Sequence, residues 1–391
     1  MSGPVRRLAS HALSAASRLL PPHLSSWSRA MTRELAEIAD DGAALRFAAG
    51  CLRAAAGLAI AAHLRSARAI LLALAPPIGS LSTMNSISTR PRLLGLICGA
   101  GAVATGLAYM LAAGAPARYL LVNLAALVLG ATAWLALGRA GRSKLAGAGL
   151  ATLALAVPLL LTGLFGIAVH GASRWVSVGP LSLQVSLIVL PLMLVLYARR
   201  PDSLGTAGMI VAALALALQP DRAMAGVLLA GLLALLAARP GRLPLMASAA
   251  SALAFGWTLL TPDTLPAAAY VDRVFYTAFD VHALAGLAVV TGAAALLIPA
   301  ATGLLKGGDD RAALLAFGGC WSGVVAAAAL GNCPTPLVGY GGSAVLGYLL
   351  SVSLLPNGAR RTDPHRGLAA PPVAGTASDE GMPELRVAHP A

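Results

Sequence analysis

From residue 93 onward, long apolar runs alternate with short polar breaks, and most runs approach the roughly 20 residues that an α-helix needs to cross a bilayer. Ten spans are predicted, at about 93–113, 118–138, 145–169, 181–198, 204–218, 223–238, 243–260, 281–304, 311–331 and 336–356. Upstream the pattern differs. Over 26–50, Trp27, Met31, Leu35 and Ile38 recur at helical spacing with acids on the other face, which predicts an amphipathic cytoplasmic helix. The runs 54–62 and 69–79 are interrupted by His63, Arg65 and Arg68, and each is shorter than a full span. They fit a hairpin dipping into the membrane, interfacial helices, or one poor span. A Ser/Thr/Asn-rich link covers 80–92, and the stretch after Leu355 has no periodicity and reads as a disordered tail. Three segments follow: a helical cytoplasmic or interfacial segment with its linker (1–92), a ten-helix membrane domain (93–356) and a tail (357–391). The fold class is an all-α polytopic membrane protein.

Composition supports this reading. Of 391 residues, 58% are hydrophobic and 11% charged, and mean hydropathy is +0.78. The net charge of +13 does not indicate nucleic acid, because the basic residues are dispersed between apolar runs with neither a basic stripe nor interleaved aromatics. Their distribution fits membrane loops and anionic lipid headgroups. With residue 92 in the cytoplasm, the inner loops hold Arg139, Arg142, Lys144, Arg199, Arg200, Arg239, Arg242, Lys306 and Arg311, while the outer loops hold Arg118, Arg174, Arg222 and Arg273. This bias puts both termini in the cytoplasm. Residues 1–44 hold no continuous apolar core, so no cleavable signal peptide is expected. Cys51, Cys98, Cys320 and Cys333 have no metal-ligand or disulfide-framework spacing and read as core residues.

Carboxylates are scarce. Between 42 and 362 there are only Asp202, Asp221, Asp263, Asp272, Asp280, Asp309 and Asp310. The topology sends Asp221, Asp263, Asp272 and Asp280 to the outer side with Arg174, Arg222 and Arg273, where together they could line a cavity for an anionic substrate. Taken singly, each acid also reads as a solvated loop residue, Arg174-Trp175 as an interfacial anchor, Gln219-Pro220-Asp221 as a capped turn, and Gly341-Gly342 as a close helix approach.

The strings between the spans carry a resemblance. Gly171-Ala172-Ser173-Arg174-Trp175 follows the third span, Gln184-Val185-Ser186 opens the fourth, Gln219-Pro220-Asp221 follows the fifth, and the run from Pro334 to Ser343 accompanies the last. In this order the chain resembles the SEDS family of FtsW, RodA and SpoVE proteins. Gly171, Ala172, Arg174 and Trp175 match its G-A-x-R-W, and Gln219, Pro220 and Asp221 its Q-P-D. Pro334, Pro336, Tyr340, Gly341, Gly342 and Ser343 match its P-x-P-x-x-S-Y-G-G-S, with Gly339 in place of the first serine. Val271 to Tyr276 aligns with its T-D-F-I-F-A, which puts Asp272 on the family's catalytic aspartate and Asp280 on the first acid of its E-E-L-G. Its Q-P-S-E-x-A-K becomes Gln184 to Leu190, with Leu187 and Leu190 where the family has glutamate and lysine, and the outer loop between the seventh and eighth spans is short.

The resemblance implies a peptidoglycan glycosyltransferase that polymerises lipid II at the outer face of the bacterial cytoplasmic membrane, in cell shape or division. It implies Asp272 as general base and Arg174, Arg222 and Arg273 as diphosphate contacts. Trp175, Gln184, Asp221, Asp280, Tyr340, Gly341, Gly342 and Ser343 complete the implied substrate site. Expected partners are membrane lipids, an undecaprenyl-diphosphate-linked sugar and a class B penicillin-binding protein. No metal-ligand spacing is visible, so any divalent cation would bridge the substrate diphosphate. A non-catalytic scaffold for the penicillin-binding protein and a lipid flippase or transporter are the alternatives.

Overall fold

A computed structural model describes residues 3–20, 24–73, 90–139, 147–169, 172–179, 181–261, 266–305, 308–331 and 333–356. The tail 357–391, most of the 80–92 link, His170, Gly171, Pro180 and Asp263 lie outside them. The chain divides into two compact units, Met1–Ser80 and Leu81–Ala391.

The first unit contains α1 (Pro4–Leu19), α2 (Ser25–Glu37) and α3 (Asp41–Ala73). Its core consists of Ala9, Leu13, Leu35, Ala44 and Ala48. The single helix predicted over 26–50 is two helices. The chain is extended at Ile38, and the Asp40 carboxylate accepts from the Ala43 N–H at 2.6 Å, so a cap interrupts the apolar spacing. Leu35 and Ile38 still face the core, whereas Trp27 is exposed. The run 54–62 belongs to the continuous helix α3, as does the start of 69–79.

The second unit runs α4 (Pro91–Ala112), α5 (Ala117–Arg139), α6 (Ala148–Phe165), strands β1 (Ile167–Val169), β2 (Ala172–Val178) and β3 (Leu181–Gln184), then α7 (Val185–Arg199), α8 (Ser203–Leu218), α9 (Arg222–Ala238) and α10 (Arg242–Leu260). It continues with α11 (Val274–Val281), α12 (Ala283–Ala295), α13 (Ile298–Ala301), α14 (Gly308–Ala329) and α15 (Gly342–Ser353). Each predicted span meets an apolar helix. α4, α5, α6, α10 and α14 are long and apolar enough to cross a membrane, and α7, α8, α9, α12 and α15 are shorter apolar helices. The protein is an all-α, multi-pass membrane protein.

Four spans depart from the hydropathy reading. The ends predicted for the third and fourth spans form an antiparallel sheet, in which Trp175 pairs with Gln184 and Val176 with Leu183. The eighth span breaks at Leu296-Leu297, where Pro299 starts α13 because a proline lacks the N–H that would continue the helix. The Ala300 N–H turns to the Leu297 carbonyl, and the Leu296 carbonyl instead accepts from the Tyr348 hydroxyl at 3.2 Å. The tenth begins at Gly342 rather than near 336, after the run containing Pro334 and Pro336.

α15 lies against α4, α5 and α7. Gly347 makes the approach to α7 possible, since a Cβ there would lie 2.0 Å from the Leu187 carbonyl oxygen. Trp321 and Phe317 of α14 pack around Tyr348, with the Trp321 and Tyr348 rings edge to face at 5.0 Å.

Candidate functional site

The α4–α5 turn, the sheet, the α8–α9 turn and the approaches to α11 and α15 gather at one end of the bundle, around a cavity of about 610 Å³. Its walls come from distant parts of the chain: Arg118, Tyr119 and Val122 of α5, Arg174 and Trp175 of β2, Leu181, Ser182 and Gln184 of β3, and Leu187 of α7. Asp272 and residues 266–268 close one side, and Gly331, Pro334, Tyr340, Gly341 and Ser343 another.

Behind the sheet wall lies a buried polar network. Asp221 is fully buried and caps α9, with Oδ1 accepting from the Met224 N–H at 3.2 Å. Its Oδ2 accepts from the Ser186 hydroxyl at 3.2 Å and from Gln184 Nε2 at 3.3 Å. Arg174 Nε stands 4.0 Å from Asp221 Oδ1, and its Nη2 donates to the Pro220 carbonyl. A desolvated carboxylate needs such donors and a counter-charge. The network joins to α15 through Ser343, whose hydroxyl accepts from the Gln184 N–H at 3.0 Å.

The opposite wall is two loops laid side by side. The Thr335 N–H donates to the Val271 carbonyl at 2.8 Å, and the Tyr340 N–H to the Tyr270 carbonyl at 2.6 Å. Asn123, buried in α5, fixes the second loop by donating to the Gly339 carbonyl at 2.8 Å and accepting from the Gly341 N–H at 3.0 Å. The pairing explains why position 339 is glycine. A Cβ there would lie 3.0 Å from the Tyr270 oxygen and 3.1 Å from that of Thr335.

Asp272 is held by the Ala268 N–H, which donates to Oδ2 at 2.8 Å. Burial pushes its carboxyl above the usual aspartate range, partly offset by that hydrogen bond. Tyr270 and Arg273 on either side have φ of +63° and +60°, backbone strain of a kind that concentrates at functional sites. Cys333 registers both carboxylates: burial first, then Asp221 and Asp272, raise its thiol pKa, while Arg174 lowers it.

The structure brings Asp272, Arg174, Trp175, Gln184, Tyr340, Gly341 and Ser343 to the cavity and sets Asp221 behind it. It does not bring the others there. Arg222 donates to the Thr258 and Thr261 carbonyls at the end of α10. Arg273 is exposed at the start of α11, beside Gly331. Asp280 is exposed on the same helix, and Gly342 packs toward Ala126 of α5.

Sequence reasoning missed the aromatic side of the cavity. Tyr119 stacks on Tyr340 with ring centroids 4.0 Å apart, Tyr270 meets Tyr119 edge-on at 6.1 Å, and the Arg118 guanidinium carbon lies 5.2 Å from the Tyr119 ring centre. Arg118 is exposed and has no carboxylate partner among the described residues. A basic residue and a tyrosine opening a span, with an amide five positions on, were the available signals. Among the described residues, no three His, Cys, Asp or Glu side chains come together as a metal site.

No protein-family model matches the chain, and no curated protein does. Solved structures do. The rod-shape-determining protein RodA of Thermus thermophilus shares 23% identity, with a TM-score of 0.52 over 67% of this chain and 94% of its own. A variant of the same protein with one aspartate changed to alanine gives 0.53, also at 23% identity, over 67% and 95%. The chain has the RodA fold.

Proposed function

We propose that this RodA-like chain is a divergent SEDS protein that polymerises lipid II as a peptidoglycan glycosyltransferase in cell shape or division. It acts at the outer face of the bacterial cytoplasmic membrane, with both termini inside and a class B penicillin-binding protein as partner. One observation carries the reading: Asp272 and Arg118 open on the same cavity, so a proton acceptor and a cation face a common space. A sugar hydroxyl attacks the anomeric carbon, Asp272 takes its proton, the bond to the diphosphate breaks, and undecaprenyl diphosphate leaves. Arg118 meets the departing charge with paired N–H donors, and the Tyr119–Tyr340 stack offers the sugar an apolar face. Arg174 is a positioning residue here, since it holds the α8–α9 turn and the Asp221 network.

The test is polymerisation of lipid II by the purified full-length protein. Asp272→Asn should reduce it by about 100-fold or more, the usual scale of a lost general base, with no fall in melting temperature. Retained activity would remove Asp272 from the role. The scaffold reading is favoured by Leu187 and Leu190, both buried, where the family carries glutamate and lysine. It expects no polymer from the native protein and normal growth of cells carrying Asp272→Asn.

A further inference from the structure

α1 has three different faces. Ala9, Leu13 and Ala16 turn into the core of the first unit. At about 100° per residue, Val5, Leu8, Ala12, Ala15 and Leu19 form a second stripe beside the core face, and within it Val5, Leu8 and Leu19 are 39%, 57% and 41% exposed. Arg7, His11 and Arg18 form a third, exposed stripe on the far flank of the apolar one. Arg6 belongs to neither surface, because it reaches across to the Leu35 and Ile38 carbonyls and to Asp41.

We infer that α1 is a lipid-docking helix that lies in the headgroup plane of an anionic membrane surface. Two observations choose lipid over a protein partner. First, α1 contains no acid, and its basic stripe runs parallel to its apolar stripe, the arrangement that lets a helix sink its apolar side among acyl chains while its cations meet headgroup phosphates. α2 lacks it, because Glu34 and Glu37 are exposed beside Arg29 and Arg33. Second, the same chain continues at Pro91 into helices long and apolar enough to cross a membrane, so docking is an event within one molecule and weak affinity suffices. The surface belongs to the first unit and does not depend on the chemistry of the cavity.

The experiment uses the full chain in lipid nanodiscs. A Leu8→Cys variant in a Cys51→Ser background carries an environment-sensitive fluorophore, and brominated acyl chains serve as quencher. In discs rich in phosphatidylglycerol the label should be blue-shifted and quenched, and in phosphatidylcholine discs or at 1 M salt both signals should fall. Arg7→Gln and Arg18→Gln should each lower the docked-to-undocked ratio about fivefold, the scale of one basic residue at an anionic surface. A label that stays in water in phosphatidylglycerol discs, or that responds equally in both lipids, overturns the proposal. A Ser14→Cys label, between the basic and core faces, should stay unquenched under all conditions; quenching there equal to that at position 8 also overturns it.

Discussion

Asp272 couples the cavity to pH. Burial raises its carboxyl above the usual range, so the group holds its proton to higher pH in the folded protein than in the unfolded chain. Its contribution to stability is therefore fully present below the ordinary aspartate value and lost as pH rises through the raised one. Catalysis runs the opposite way, since a base must be ionised. The acid limb of the polymerisation rate should lie above the ordinary aspartate range, as a pH–rate profile would show. Arg118→Gln should weaken lipid II binding about tenfold or more, the scale of a lost charge-assisted hydrogen bond, without moving the melting temperature, because the side chain is exposed. Asp221→Asn should do the reverse. It leaves Arg174 buried without its counter-charge and should cost about 3–5 kcal/mol in thermal unfolding. The motif strings made Asp272, Asp221 and Arg174 legible. Counting charges by membrane side could not separate Arg118 from Arg222, since topology gives an arginine's side but not its direction, and Arg222 is turned to the end of α10.

At the level of elements, each of the ten predicted apolar runs meets an apolar helix among the described residues, five of them long enough to cross a membrane, but the runs missed what interrupts them. The sheet escaped because β2 and β3 border two apolar runs and hydropathy has no period of its own there. The two buried positions, Arg174 and Gln184, are both polar and fall on opposite faces by the register, since Gln184 pairs with Trp175, so no apolar alternation marks an inner face. The break at Leu296-Leu297 has a local signal in Pro299, but the group that takes up the Leu296 carbonyl, Tyr348, is a long-range partner that no local pattern contains. Close packing gives the sharpest test. Gly347→Leu must push α15 from α7, because its Cβ would overlap the Leu187 oxygen; it should lower stability by about 3 kcal/mol, the upper range for overpacking. Gly101→Ala in α4 meets nothing within 4 Å and should be neutral or stabilising by up to about 1 kcal/mol. The two melting temperatures in one detergent, measured side by side, decide whether the α7–α15 seam carries stability.

At the scale of the whole molecule, each unit has its own hydrophobic core. A chain that begins at 81 should therefore insert and melt at the temperature of the full protein; a large drop would show that the spanning unit needs the first 80 residues to fold. The shortness of α15 has a physical consequence for the cavity. α15, with twelve residues, is about 18 Å long, against a hydrocarbon thickness of about 30 Å. If its Ser353 end meets one boundary, its Gly342 end stops about 12 Å short of the other. The non-helical loop from Pro334 to Gly341 continues from that depth, and its backbone is tolerated there because protein and cavity surround it. The floor of the cavity thus rests on the end of a short helix that α4, α5 and α7 shield from lipid. Under the proposed function, a polyprenyl-linked substrate would meet a cavity floor whose depth is set by the length of α15, and would not have to rise fully out of the bilayer to reach it.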